Sequence, residues 1–229
     1  MAIGDIHGRV DLLRELDGLI EAQCSGWPVV FLGDYIDRGE QSREVLELLM
    51  SVSAESTPSV TCLMGNHERM LLEFLNDPAA YGPRWLRNGG LQALASFGVA
   101  MPRGDSKDPA VFENLRDRLS DAMGDRAIAW LRTLPLTWRS GNVWAVHAGA
   151  DPALPMIEQT EDVLLWGHSA FRKTLRTDGQ WVVHGHTIVD AAQIEGGRIA
   201  LDTGAYATGR LSAAGISADG VDFMRTGAT

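Results

Sequence analysis

The stretch Gly33-Asp34-Tyr35-Ile36-Asp37-Arg38-Gly39 follows the apolar run Pro28-Val29-Val30-Phe31-Leu32 and precedes a helix-like segment from about Gln41. The apolar run reads as a buried strand, so two acids and an arginine fall in the turn that leaves it. In open α/β sheets, ligands collect outside the carboxyl ends of the strands. Asp34 has two oxygens and can serve two cations at once. Asp37 can orient a neighbouring base, and Arg38 can hold a phosphate through its planar fork. A polar turn closed by a surface salt bridge would use the same residue types, so the flanking chain has to decide.

Upstream, Met1–Ile3 is a short strand that runs into Gly4-Asp5-Ile6-His7-Gly8. Val10, Leu13, Leu16, Leu19 and Ile20 then recur at helical spacing. Downstream, Val45, Leu46, Leu48 and Leu49 predict a helix to about Ser53, followed by a loop over 54–58. Ser59–Met64 reads as a third strand, which delivers Gly65-Asn66-His67-Glu68 and a helix through Met70, Leu71, Phe74 and Leu75. Three repeats of strand, polar turn and helix predict a parallel α/β sheet with its polar turns on one edge.

Residues 77–126 break this rhythm with Pro78, Pro83, Pro102, Pro109 and Asn88-Gly89-Gly90. They read as a helical insertion that walls the site, with Trp85 and Trp130 as packing anchors. Beyond it the chain is rich in strands. Strands over 136–140 and 142–146 flank a Ser140-Gly141 turn and lead to His147-Ala148-Gly149. Residues 163–166 and 170–175 read as helical or irregular. Trp181-Val182-Val183 is a strand ending in His184-Gly185-His186-Thr187, and 193–195, 198–201, 211–217 and 221–225 complete the tail. No linker divides the chain, so 1–229 reads as one domain.

Bulk properties narrow the function. The formal net charge of -10 disfavours nucleic acid as a partner, which needs a basic face. A phosphate substrate stays compatible with it, because bound divalent cations reverse the field locally. Cys24 and Cys62 form no CxxC pair, which argues against a thiolate zinc site or a disulfide framework. With no signal peptide and no long apolar span, the expectation is a soluble, cytoplasmic protein without a membrane partner. Nothing in the sequence specifies an oligomeric state.

The strand ends gather Asp5, His7, Asp34, Asn66, His147 and His186, all oxygen or imidazole donors. Each alone has ordinary uses as a cap, a turn residue or a buried histidine. Together, at separate strand ends beside glycines, they suit two cations sharing Asp34. Two ions roughly 3.5–4 Å apart clamp a phosphoryl group and activate a bridging water. The mixed donor set fits Mn²⁺, or else Fe or Zn²⁺, better than Mg²⁺ or Ca²⁺.

Gly4-Asp-Ile-His-Gly8, Gly33-Asp-Tyr-Ile-Asp-Arg-Gly39 and Gly65-Asn-His-Glu68 resemble the three signature motifs of the phosphoprotein phosphatase family of binuclear metallophosphoesterases. His147-Ala-Gly149, Gly185-His186-Thr187 and Asp202-Thr-Gly204 are similar to its later elements. The nearest likeness is to small bacterial serine/threonine phosphatases. The resemblance implies an α/β calcineurin-like fold, a central β-sandwich flanked by helices, and hydrolysis of phosphate monoesters in a phosphorylated protein or small phosphoester. A symmetrical dinucleoside-tetraphosphate hydrolase shares these motifs and is the alternative enzyme. An inactive phosphate-binding module is the non-enzymatic alternative, against which the intact His67, Asp37 and Arg38 argue.

By matched position, the resemblance implies that Asp5, His7 and Asp34 hold one metal and that Asp34, Asn66, His147 and His186 hold the other. It makes His67 the general acid, Asp37 its orienting partner and Arg38 the phosphate grip. One departure stands out: Trp166-Gly167-His168 occupies the place of a Trp-x-Arg pattern that supplies a second phosphate-binding arginine. His168 or Arg172 is expected to take over that contact. His184 is read as buried outside the ligand set, and Tyr206 as lying near the site.

Overall fold

A computed structural model describes residues 1–24, 26–54, 59–101 and 108–227. Of the loop expected over 54–58, residues 55–58 lie outside the described residues, as does Pro102. The first half alternates β1 (Ala2–Ile3), α1 (Val10–Cys24), β2 (Val29–Phe31), α2 (Ser42–Ala54), β3 (Val60–Cys62) and α3 (Asn66–Asn76). β1 pairs parallel with β2, and β2 with β3, as three strand–turn–helix repeats require. The first strand is only two residues long.

Next come α4 (Pro78–Trp85), a π-turn over Leu86–Gly90, α5 (Leu91–Ser96) and α6 (Pro109–Arg132). The helical insertion therefore runs past residue 126, with a break at Gly124, where φ is 74°. β4 (Thr137–Ser140) and β5 (Val143–Val146) form the expected hairpin. α7 (Glu161–Trp166), β6 (Trp181–His184), β7 (Gln193–Glu195), β8 (Arg198–Ala200), α8 (Ala205–Thr208), β9 (Ser212–Ile216) and β10 (Val221–Arg225) follow.

The strands form two five-stranded sheets, ordered β10-β9-β1-β2-β3 and β4-β5-β6-β8-β7. Strand residues alternate faces, and the two faces of the first sheet serve different cores. Ala2, Val30, Leu32 and Leu63 point at Ala145, Val183, Ile199 and Leu201 of the second sheet, closing a sandwich. Ile3, Phe31 and Cys62 face the helices, meeting Leu16 of α1, Leu46 of α2 and Phe74 of α3. Beyond the second sheet, Trp144, Val146 and Val182 pack under Leu164 of α7 and Phe171. The layering is helices, sheet, sheet, short helix. It puts the carboxyl ends of β1, β2 and β3 beside those of β5, β6 and β8. No helix among the described residues is long and apolar enough to cross a membrane.

Candidate metal centre

Asp34 is the hub. Its Oδ2 lies 3.5 Å from His7 Nε2 and its Oδ1 lies 3.4 Å from His147 Nε2, so its two oxygens face imidazoles from different sheets. Ligand atoms of Asp34, His7 and His67 lie within 4.8 Å of one another, as do those of Asp34, His147 and His186. Two donors bound to one ion at about 2.1 Å stand about 3 to 3.5 Å apart, so these spacings suit one cation on each side of Asp34.

The backbone sets the tautomers. His7 Nδ1–H donates to Ile36 O at 2.8 Å, and His147 Nδ1–H donates to Leu32 O at 2.9 Å. Each leaves an Nε2 lone pair facing the cluster, the arrangement by which a carbonyl orients a metal-binding histidine. Burial pushes His7 down to about 3 and His186 to about 4, and lowers His147 as well, so all three are neutral at pH 7 and free to coordinate. Asn66 Oδ1 lies 2.8 Å from His147 Nε2 and 2.9 Å from His186 Nδ1. Asp5 Oδ2 accepts the His186 N–H at 2.9 Å. Burial, Asp202 and Asp34 push the Asp5 carboxyl well up. Asp5 Oδ1 and His7 Nε2 are buried without a hydrogen-bond partner. Buried polar atoms are nearly always satisfied, and a cation on the cluster would satisfy both.

His67 stands beside the hub as α3 begins. Its N–H donates to Asp34 Oδ1 at 3.0 Å, and its Nδ1 lies 2.7 Å from Asp37 Oδ2. Burial works against a charged ring here, but the Asp34 and Asp37 carboxylates outweigh it and raise His67 above the ordinary imidazole value. His67 can therefore carry a proton at the cluster's edge. The half-buried Arg38 guanidinium sits over the Tyr206 ring at 4.9 Å, and no ion pair engages it among the described residues. Tyr206 packs edge-on to His7 at 5.3 Å, which places it in the site.

His168 and Arg172, the candidates for the second phosphate contact, have partners of their own. His168 Nε2 lies 3.9 Å from Asp151 Oδ2, and its Nδ1 accepts the Ala170 N–H. Arg172 lines a small pocket with His184, Thr187 and Arg198. Phe171, beside Arg172 in the chain, is buried against the His184 ring at 5.0 Å. His184 itself is buried, and its Nδ1–H donates to Gly185 O at 3.1 Å, away from the cluster.

Two residues do more than the sequence suggested. Glu68 is fully buried and accepts the N–H groups of Asp34, Tyr35, Ile36 and Gly65. Trp85 is a packing anchor, stacked on Phe74, but its indole N–H also reaches Asp37. Trp130 packs against Tyr35 at 6.3 Å. A glutamate two residues after Asn66 gave a faint signal for the first role. Nothing short of the fold links Trp85 to Asp37.

The calcineurin-like phosphoesterase family model matches residues 1–190. A symmetrical bis(5'-nucleosyl)-tetraphosphatase of Methylococcus capsulatus is 32% identical over 152 residues, which is 66% of this chain and 43% of that protein. Serine/threonine-protein phosphatase 2 of Escherichia coli is 29% identical over 226 residues, 92% of this chain and 89% of that protein. The chain thus spans under half of the first relative and most of the second. A crystal structure of a candidate diadenosine tetraphosphatase superposes with TM-score 0.68 at 21% identity, covering 98% of this chain and 91% of that one.

Proposed function

Because the chain belongs to the calcineurin-like phosphoesterase family, we propose that it is a metal-dependent phosphomonoesterase acting on phosphoserine and phosphothreonine in proteins. The supporting observation is the buried His67–Asp37 pair, 2.7 Å apart, beside an Asp34 whose two oxygens face separate imidazoles. Two divalent cations, Mn²⁺ by the mixed oxygen and nitrogen donors, would neutralise phosphoryl oxygens and generate a nucleophile from water at neutral pH. Asp5, His7 and Asp34 would hold one, and Asp34, Asn66, His147 and His186 the other.

The chain's own groups do the rest. Arg38 grips two phosphoryl oxygens with its unpaired fork. The bond from phosphorus to the leaving oxygen breaks as water oxygen adds, and His67 Nε2–H gives its proton to the leaving oxygen. Asp37 keeps the ring aimed and stabilises its charged form through Nδ1. Tyr206 supports Arg38 from below. Similarity to the Escherichia coli protein phosphatase over 89% of that relative supports this reading, and the tetraphosphate hydrolase, matched over 43% of the Methylococcus capsulatus relative, is the second reading. The two cysteines are unpaired, which suits the reducing cytoplasm as its location.

A substrate panel with Mn²⁺, with and without chelator, tests this reading. It compares p-nitrophenyl phosphate, a phosphoserine peptide, a phosphotyrosine peptide and diadenosine tetraphosphate. We expect chelator-sensitive turnover of the aryl ester and the phosphoserine peptide above that of the tetraphosphate. Faster turnover of the tetraphosphate would move the assignment to an anhydride hydrolase. No turnover of any would leave the phosphate-binding module.

A further inference from the structure

The segment from Trp85 to Gly90, read from sequence as a wall of the site, touches two of its residues directly. Trp85 ends α4 and is fully buried, its ring stacked on Phe74 with centroids 4.6 Å apart. A phenylalanine could stack there as well, though with a smaller ring. The indole N–H adds something else: it lies 3.1 Å from Asp37 Oδ1 and 3.0 Å from Oδ2. Asp37 Oδ2 also takes the bond from His67 Nδ1 at 2.7 Å. Four residues on, Gly89 O accepts the Arg38 N–H at 3.2 Å. Gly89 has φ 109°, and a Cβ there would stand 2.6 Å from Arg38 N.

Asp37 and Arg38 need such support. Both are non-glycine residues in the left-handed region, at φ 68° and 65°. Such conformations cost of order 1–3 kcal/mol each and persist only where the surroundings enforce them. A buried carboxylate held by one hydrogen bond can rotate about its Cβ–Cγ bond. A donor shared between its two oxygens fixes its plane and aims Oδ2 at His67.

We propose that the Trp85–Gly90 segment is a clamp on the Asp37-Arg38 turn. Trp85 is a positioning residue for His67, acting through Asp37, and Gly89 is a positioning residue for Arg38, acting through its backbone. The proposal rests on the phosphoesterase reading above, in which His67 protonates the leaving oxygen.

The test compares wild type, Trp85→Phe and Gly89→Ala, all loaded with Mn²⁺. The substrates are phenyl phosphate, whose leaving oxygen needs a proton, and 2,4-dinitrophenyl phosphate, whose leaving group departs without one. Inorganic phosphate is the competitive inhibitor. Trp85→Phe should lower kcat on phenyl phosphate about tenfold or more, part of the roughly 10²–10⁴ that general acid catalysis supplies, with only about a twofold change on the dinitrophenyl ester. Its inhibition by phosphate should be unchanged. Gly89→Ala should weaken phosphate inhibition several-fold and lower turnover of both esters alike. Equal losses on the two esters in Trp85→Phe, or none, would overturn the clamp.

A second readout needs no turnover. In the ¹⁵N-labelled wild-type protein, the Trp85 indole N–H resonance, assigned by its loss in Trp85→Phe, should move in Asp37→Asn. A resonance that stays in place would overturn the proposal. If wild type hydrolyses neither ester, the phosphoesterase reading fails, and this resonance still decides whether Trp85 holds Asp37.

Discussion

His184 and His186 leave the same strand two residues apart, yet they meet different surroundings. His186 turns at φ 62° and reaches Asn66 with its ring, while His184 packs against Phe171 inside the second sheet's outer core. His7, Asp34, Asp37, Arg38 and His186 are the non-glycine residues at positive φ among the described residues, and all five lie in the candidate site. Strain of this kind concentrates where function fixes the backbone. The metal-capable residues were legible because aspartate, asparagine and histidine stood beside glycine at strand ends. The choice between His168 and Arg172 was not legible, because spacing from Trp166 says nothing about which way a chain turns after Gly167 at φ 84°.

Burial holds His184 down to about 4, against 6.5 for a free imidazole. Between those values the unfolded chain binds the extra proton, so this residue's contribution to stability is present above pH 6.5 and is lost as pH falls towards 4. Thermal melts of chelator-treated wild type and His184→Gln should therefore converge as pH falls through that window. A gap in melting temperature that stays constant would contradict this account of His184.

At the scale of elements, α3 organises the turns around it. Glu68, on its first turn, spreads four N–H contacts across the β2 turn and its own start: Asp34 and Gly65 on Oε2, Tyr35 and Ile36 on Oε1. α1, α2 and α3 were readable from apolar residues three and four apart, because each covers a sheet with one face. The reach of Glu68 was not readable, since a helix position does not tell which neighbouring turn a side chain will enter. The same holds for α4: its stretch was readable as part of a helical insertion, but no spacing told that the Trp85 indole reaches Asp37.

Glu68→Gln would swap one acceptor oxygen for an amide that points its own hydrogens at N–H donors. Leaving buried donors unsatisfied costs roughly 1–3 kcal/mol. Denaturant unfolding should show a loss of that order, and a Mn²⁺ titration should show weaker binding because the Asp34 turn shifts. Unchanged stability together with unchanged Mn²⁺ affinity would rule out Glu68 as the organiser of this turn.

At the scale of the whole molecule, two sheets bring their strand ends to one edge, and neither alone completes the cluster. The first supplies Asp5, His7, Asp34 and Asn66, and the second supplies His147 and His186. The first sheet's parallel core was legible from its repeated strand, turn and helix. The parallel run β5-β6-β8 was not, because its crossovers carry one short helix or none, so the tail read only as rich in strands. A chain with formal charge -10 that gathers carboxylates and neutral imidazoles at one buried point gains most from cations placed there.

The most direct test is the Mn²⁺ content of wild type and Asp34→Asn, measured by equilibrium dialysis followed by elemental analysis. The account predicts two ions per chain in wild type and loss of both in the variant, because Asp34 faces both sides of the cluster. Fewer than two ions in wild type, or a variant that keeps both, would contradict it.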